Sequence, residues 1–395
     1  MRASMTIAGK VIASFIITGA MMLPAHAVEF SGQTNLEHRQ YVDQGLQGQD
    51  KGQSSVVLQP EWYWDLSEGE ASFTFVPFYR YDEMDTQRTH GDIREALYLT
   101  YWDDYELRVG IGKVFWGVTE SAHLVDVINQ TDAIESVDGE DKLGQPMLHL
   151  SVIKEWGTVD ALLLPYFRER TYAGEEGRLR PLIPVSDEAI YQSSQEQKHI
   201  DYALRYSTMV EDWDFGLSYF QGTNRDPYYR FDGNTLNPYY AQSKQAGLDI
   251  QGIVGDWLWK LESIYRDSDD HHLGVVGGFE YTWVGVFDSI WDIGLISEYL
   301  YDSRGDNAQM IGQNDVFVGT RFAFNDAAGT EVLIGATQDL DHSDVYTAKL
   351  EASSRINNAL KWRIDAWLFE NETPSDLLYF ARQDDFIELS LEYYF

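Results

Sequence analysis

The 395-residue chain contains no cysteine, so it holds neither a disulfide framework nor a thiolate site. Basic residues are few: 29 Lys and Arg stand against 64 Asp and Glu, a formal charge of -35. So acidic a surface excludes nucleic acid and anionic bilayers as electrostatic partners. From Val28 onward there is no run of 18 apolar residues, which excludes helical membrane spans. Aromatics are plentiful, with 12 Trp, 25 Tyr and 19 Phe, and that excludes the acidic, aromatic-poor disordered class.

Residues Met1 to Ala27 read as an export signal. Arg2 and Lys10 give the positive start, Val11 to Leu23 the apolar stretch, and Ala25-His26-Ala27 a small-x-small cleavage site. The apolar stretch is too short for a transmembrane anchor. Its removal leaves residues 28–395 as one domain and takes the formal charge from -35 to about -37.

The stretch that orders the rest is Asp385 to Phe395. Ile387, Leu389, Leu391, Tyr393 and Phe395 fall on one strand face, while Glu388, Ser390, Glu392 and Tyr394 fall on the other. This period-2 alternation suits a strand with hydrocarbon on one side and water on the other. The same rhythm runs through the chain, with very short turns alternating with longer loops. Val56, Leu58, Pro60, Trp62 and Trp64 share one face of an early strand, although Pro60 and Pro77 are awkward inside a ladder. The spacing predicts an all-β fold: a transmembrane antiparallel up-and-down β-barrel of about 18 strands, with 16 the neighbouring even count. Ten of the twelve tryptophans lie near predicted short turns, as an aromatic girdle at one membrane interface requires. The short turns then face the periplasm and the long loops the exterior.

An 18-stranded ring is too wide for side chains to fill, so an aqueous channel is the expected function. On the inward phase lie Arg80, Arg94, Arg108, Arg168, Arg205, Arg266, Arg321 and Arg363, with Glu106, Glu262 and Glu298 among the carboxylates. Opposed acidic and basic groups sort solutes by charge, whereas single pairs merely satisfy a wet wall. The segment from Gly117 to Gln145 follows Trp116 and carries Glu120, Asp126 and Asp132 plus the apolar Leu124, Val125, Val127 and Ile128. Folded inward, it narrows the channel in favour of cations or neutral solutes. Folded outward, it suits divalent cations bridging to lipopolysaccharide.

No catalytic set emerges. Ser121, His123 and Asp126 are too close in sequence to supply nucleophile, base and orienter in line. Asp269-Asp270-His271-His272 lacks the further ligands of a metal site. The chain is therefore expected to be no enzyme, with no cofactor and no metal. A second reading is a surface-interaction barrel (adhesin, receptor or phage target) acting through loops such as Asp226-Pro227-Tyr228-Tyr229-Arg230 and Asn237-Pro238-Tyr239-Tyr240.

Several runs carry a family resemblance: Trp116-Gly117 with Asp126-Val127-Ile128-Asn129 and Asp132, Leu143-Gly144-Gln145-Pro146-Met147, Leu164-Pro165-Tyr166-Phe167-Arg168, and Glu298-Tyr299-Leu300-Tyr301-Asp302-Ser303-Arg304. Together they resemble a group of large bacterial outer-membrane porin-like proteins of unknown function, distantly similar to alginate-export porins. The resemblance implies the cell outer membrane of a Gram-negative bacterium, with outer-membrane lipid and lipopolysaccharide around the barrel. The closing strand, ending on Phe395, resembles the signal that the barrel-assembly machinery handles. Alginate exporters are implied to use an arginine-rich lumen, and the mixed, net acidic wall here departs from that. Substrate, ion selectivity, resting state and oligomeric state stay open.

Overall fold

The computed structural model describes residues 28–308, 312–374 and 376–395, and the expected export signal, Met1 to Ala27, lies outside the described residues. Strands β1 (Val28–Tyr41), β2 (Gly52–Asp65), β3 (Ala71–Asp82), β4 (His90–Trp102), β5 (Tyr105–Gly112), β6 (Gln145–Lys154) and β7 (Gly157–Leu164) run in order round a wall. Two residues, β8 (Ile190–Tyr191), sit in the next loop. The wall resumes with β9 (Asp201–Val210) and β10 (Trp213–Thr223), and β11 (Tyr228–Phe231) and β12 (Leu236–Tyr240) lie in the loop that follows. It continues through β13 (Gln242–Val254), β14 (Trp257–Asp267), β15 (His271–Trp283), β16 (Asp292–Asp302) and β17 (Asn314–Ala323). Strands β18 (Glu331–Asp339), β19 (Val345–Arg355), β20 (Leu360–Asn371) and β21 (Phe386–Tyr394) complete it. Eighteen strands thus make one antiparallel sheet, and β21 closes it on β1 from Gln33–Tyr394 to Tyr41–Phe386. Closure leaves no edge, so every ladder N–H and C=O can be satisfied inside hydrocarbon.

The alternation read from the sequence is the alternation of the wall. On β21, Ile387 and Leu389 face outward and exposed, while Glu388 and Ser390 face inward and buried. Outward aromatics gather at the short-turn end: Phe30 packs 5.2 Å from Trp62 and 5.6 Å from Phe395, and Trp257 lies 4.7 Å from Tyr281. Of the two tryptophans outside this girdle, Trp116 is buried in the lumen and Trp367 lines its cavities.

Both prolines flagged in the sequence sit where the ladder is broken. The β2–β3 register is the same at Leu58–Tyr79 and at Trp62–Phe75, which brings Pro60 opposite Pro77, and no pairs form between those rungs. Two residues that lack an N–H are thus spent on one gap. On the other side of β3 the register slips between Val76 and Pro77: Glu95 pairs with Val76 and Ile93 with Pro77. Arg94 is the extra residue of this β-bulge. Strand β7 ends earlier than its apolar pattern predicts, at Leu164, because Pro165 cannot continue the ladder. Arg168 is accordingly on a loop, not a strand.

The connection between β5 and β6, residues 113–144, turns into the barrel. Leu124, Val125, Val127 and Ile128 are buried against wall residues Leu162, Phe220, Ile264, Ile296 and Phe317. A second long loop, residues 165–200, reaches the seam between first and last strands. There Arg178 is buried, 2.6 Å from Asp384, bonded to the carbonyls of Asp43 and Asp50, and stacked 4.0 Å over Tyr41.

Gly278 on β15 faces Glu298 of β16 across the ladder. A β-carbon there would collide with the Ser297 carbonyl and crowd the Glu298 backbone. Gly278→Ala is therefore expected to cost about 1–3 kcal/mol, the usual penalty of overpacking. The check is the urea midpoint of the refolded barrel, which should fall.

Candidate functional site

Two glutamates of the wall hold the infolded loop. Glu262 on β14 and Glu298 on β16 point inward and are buried, with 0% and 1% of their surface exposed, and among the described residues no Lys or Arg lies within ion-pair distance of either. Donors from the loop satisfy both carboxylates, and the His123 ring lies 3.8 Å from Glu262. One oxygen of Glu262 accepts from the backbone N–H of Val118 (2.7 Å) and Thr119 (3.1 Å) and from the Thr119 hydroxyl (2.8 Å). Its other oxygen accepts from Val125 N–H at 3.1 Å. Glu298 accepts from the N–H groups of Glu120 (2.8 Å) and Ser121 (2.8 Å) and from the Ser121 hydroxyl (2.6 Å). Hydrogen bonds to an ionised acceptor are about twice as strong as neutral ones, so these contacts fix the loop across the lumen.

The far end of the loop is held by ion pairs. Asp132, fully buried, meets Arg94 at 2.8 Å and the Thr171 hydroxyl at 2.7 Å. Glu135 and Glu37 both bind Arg80, and Arg88 joins Asp82 at 2.8 Å. His90, Asp132 and Glu135 lie close enough together to hold a metal ion. Arg80 and Arg94 already cover the two carboxylates, and two guanidiniums disfavour a divalent cation there. The cluster reads as an ion-pair network.

Of the four loop residues singled out in the sequence, Glu120 alone lines the cavities on both sides of the loop. Trp116 is buried 5.4 Å beneath the Arg205 guanidinium, Asp126 accepts from Trp116 N–H and pairs with Lys142 at 3.3 Å, and Asp132 seats the tip. These three shape the loop. Most inward arginines are also occupied: Arg205 grips Asp249 through two bonds (2.6 and 2.7 Å), Arg108 pairs with Glu106 at 2.6 Å, and Arg363 with Asp365 at 2.7 Å. Arg168 reaches Asp92 at 2.8 Å, Arg266 reaches Asp226 at 2.7 Å, and Arg321 reaches Glu120 at 2.8 Å.

The loop divides the lumen into two chambers. One, about 250 Å³, lies on the long-loop side, where Arg170, Arg225 and Arg266 face Ile264, Phe317 and Phe369. The other, about 730 Å³, opens on the short-turn side at Glu331, Lys361 and Tyr394 and runs along the β1–β21 seam to Arg39 and Phe386. Glu120, His123, Asp138, Glu140, Lys349 and Trp367 line both, and so mark the waist between them. Lys349 was legible but overlooked: it shares the inward phase of β19 with Thr347 and Glu351. His123 stands out in the sequence only as a member of the rejected Ser121, His123 and Asp126 set. Its Nε2 lies 2.8 Å from Glu140 and its Nδ1 3.8 Å from Glu262. Burial works against its protonation, but the two carboxylates outweigh it and push its pKa up to about 10. Burial would raise Glu140, and the imidazolium holds it below its ordinary value instead.

Ser121 and His123 bond to different carboxylates, Glu298 and Glu140, and form no triad with Asp126. In the Asp269 to His272 tip, Asp270 is taken by Tyr228 (2.7 Å) and Arg304 (3.3 Å). The tyrosine-rich stretches form a small outer sheet, in which β11 pairs with β12 and β12 with β8.

Two outcomes follow. Replacing Glu262 and Glu298 together by Gln leaves one acceptor oxygen where each carboxylate has two, so of seven loop contacts some become neutral and those facing the amide nitrogen are lost, and single-channel current should grow noisier and larger. An unchanged trace would mean that the apolar anchors alone hold the loop. The His123–Glu140 pair contributes fully below the unfolded histidine pKa of about 6.5 and is lost as pH rises through about 10. Its acid limit is the lowered Glu140 pKa. Loop noise in the wild type should therefore rise progressively from about pH 7 and level off above about 10, and Glu140→Gln should bring that levelling-off to lower pH.

No family model and no curated protein sequence matches the chain. Solved structures do. A BenF-like porin from Pseudomonas fluorescens Pf-5 is similar at TM-score 0.54 and 10% identity, with 94% of this chain and 98% of that chain covered. OccK3 (OpdO) of Pseudomonas aeruginosa gives 0.53 and 10%, covering 93% and 95%. OpdQ of the same organism gives 0.52 and 12%, covering 93% and 97%. At these identities the likeness concerns the fold: a closed 18-stranded barrel of the kind that outer-membrane porins have.

Proposed function

We propose that the protein is a passive outer-membrane channel for small hydrophilic solutes, narrowed by the 113–144 loop and preferring cations. The observation that carries this reading is the pair of chambers meeting at one charged waist. In the long-loop chamber, five carboxylates are balanced by five Lys or Arg side chains. In the short-turn chamber, eleven carboxylates face six Lys or Arg side chains. A solute therefore moves from a balanced vestibule into an acidic one, through a waist where Asp138 and Glu140 are exposed opposite Lys349. Such an arrangement concentrates cations and repels anions.

In this reading the lumen arginines and Glu106, Glu262 and Glu298 act chiefly by setting the width of the passage, and no bond is made or broken. Residues 1–27 serve as the export signal, the barrel-assembly machinery inserts the chain, and lipid and lipopolysaccharide surround it. A distant kinship with alginate-export porins belongs to the same proposal. The mixed lumen argues against a polyanionic cargo, because most of its arginines already hold carboxylates.

The test is single-channel recording of residues 28–395 in a planar bilayer under a salt gradient. The expected reversal potential has the sign of cation preference, and Asp138→Asn with Asp141→Asn should move it toward zero. Anion preference would overturn the selectivity, and the absence of any conductance would overturn the channel.

A further inference from the structure

At the short-turn end, the connection between β15 and β16 differs from its neighbours. The others turn on acidic residues or Asn: Glu68, Asp103-Asp104, Glu155, Glu211-Asp212, Asp256, Asn325-Asp326 and Asn357-Asn358. Residues 284–291 instead read Val-Gly-Val-Phe-Asp-Ser-Ile-Trp. Phe287 is 84% exposed and Val284 77%, the two highest values among the large hydrophobic side chains of the described residues, and Ile290 is 61% exposed.

This tip is built, not frayed. Val286 N–H bonds to the Trp291 carbonyl (2.9 Å), the Ser289 hydroxyl to the Val286 carbonyl (2.7 Å), and Gly285 N–H to Asp292 (2.9 Å). Asn325, on the neighbouring turn, donates to the Ile290 carbonyl at 2.8 Å. Phe287 and Asp288 both sit in the left-handed region, at φ 58° and 56°. Two consecutive non-glycine residues there are costly and persist only where surrounding contacts impose them. The result is a Phe side chain held out into open space.

We propose that this turn is a lipid anchor, seated in the headgroup and upper acyl region of the phospholipid leaflet on the periplasmic side. Continuity with the girdle identifies the occupant. Trp283 flanks the turn and packs 4.8 Å from Tyr281, Tyr281 packs 4.7 Å from Trp257, and Trp257 packs 5.7 Å from Trp259. On the other flank Trp291 lies 5.1 Å from Phe324. The turn therefore extends an aromatic sector of the lipid-facing wall, and its Val, Phe, Ile and Trp side chains are those that enter a bilayer interface. Acidic turns on either side stay in water, so the anchor is confined to one sector. The inference rests on the membrane fold and not on the channel reading.

The chain has no cysteine, so Phe287→Cys gives a single site for an environment-sensitive fluorophore. Asp256→Cys, on the adjacent polar turn, is the control, and Ile290→Cys replaces Phe287→Cys should that variant fail to refold. The barrels are reconstituted in phosphatidylcholine liposomes and probed with nitroxide-bearing lipids and with aqueous iodide. Expected is severalfold stronger quenching by lipid nitroxide at 287 than at 256, with protection from iodide. Equal behaviour at both sites would overturn the proposal. Protection from iodide without lipid quenching would also overturn it, since the tip would then be covered by protein.

Discussion

A ring of eighteen strands encloses more space than its own side chains can fill, and the hydrogen bonding of two buried carboxylates settles what occupies it. Once Leu124, Val125, Val127 and Ile128 pack on the wall and displace water, Glu262 and Glu298 can stay ionised only if donors replace their hydration. The loop supplies those donors from its own backbone and two hydroxyls. Loop and glutamates thus stabilise one another. The waist, the two chambers and the position of His123 all depend on that mutual need.

Much of this architecture is written in the chain in a form that local physics can read. Strand parity needs only period-2 alternation, so Glu388 and Ser390 against Ile387 and Leu389 could be assigned to their faces directly. The girdle was legible because ten tryptophans recur beside short turns. Partners were not legible, because Arg94–Asp132 and Glu298–Ser121 join residues far apart in sequence. Alternation tells which way a residue points, not which loop meets it. The same limit left the 113–144 loop undecided between inside and outside, since its apolar anchors and its acidic residues argue in opposite directions.

Pairing also changes what the lumen charges mean. Counted from the sequence, the inward arginines and carboxylates all look available to a solute. In the fold, Arg108, Arg205 and Arg363 each meet a carboxylate within 2.7 Å across or along the sheet. The Arg205–Asp249 pair is the most buried of the three, and breaking it from one side strands the other charge, a loss that reaches about 3–5 kcal/mol where burial is complete. These residues are consequently part of the scaffold, and the field felt by a solute comes from the groups left over. Asp138 and Asp141, exposed and without a Lys or Arg in ion-pair range, are two of them.

The bulge beside Pro77 has a further consequence. Strict alternation would turn one of Arg94 and Glu95 toward lipid, yet both face the lumen, with the Arg94 guanidinium 4.1 Å over the inward Phe78 ring. A one-residue slip thus gives the inside of the barrel a side chain that parity denies it. That side chain holds Asp132 and, through it, the tip of the infolded loop. The shape of the passage therefore depends on a counting irregularity in the wall, and a deletion that restored perfect pairing between β3 and β4 would make a more regular sheet around a looser pore.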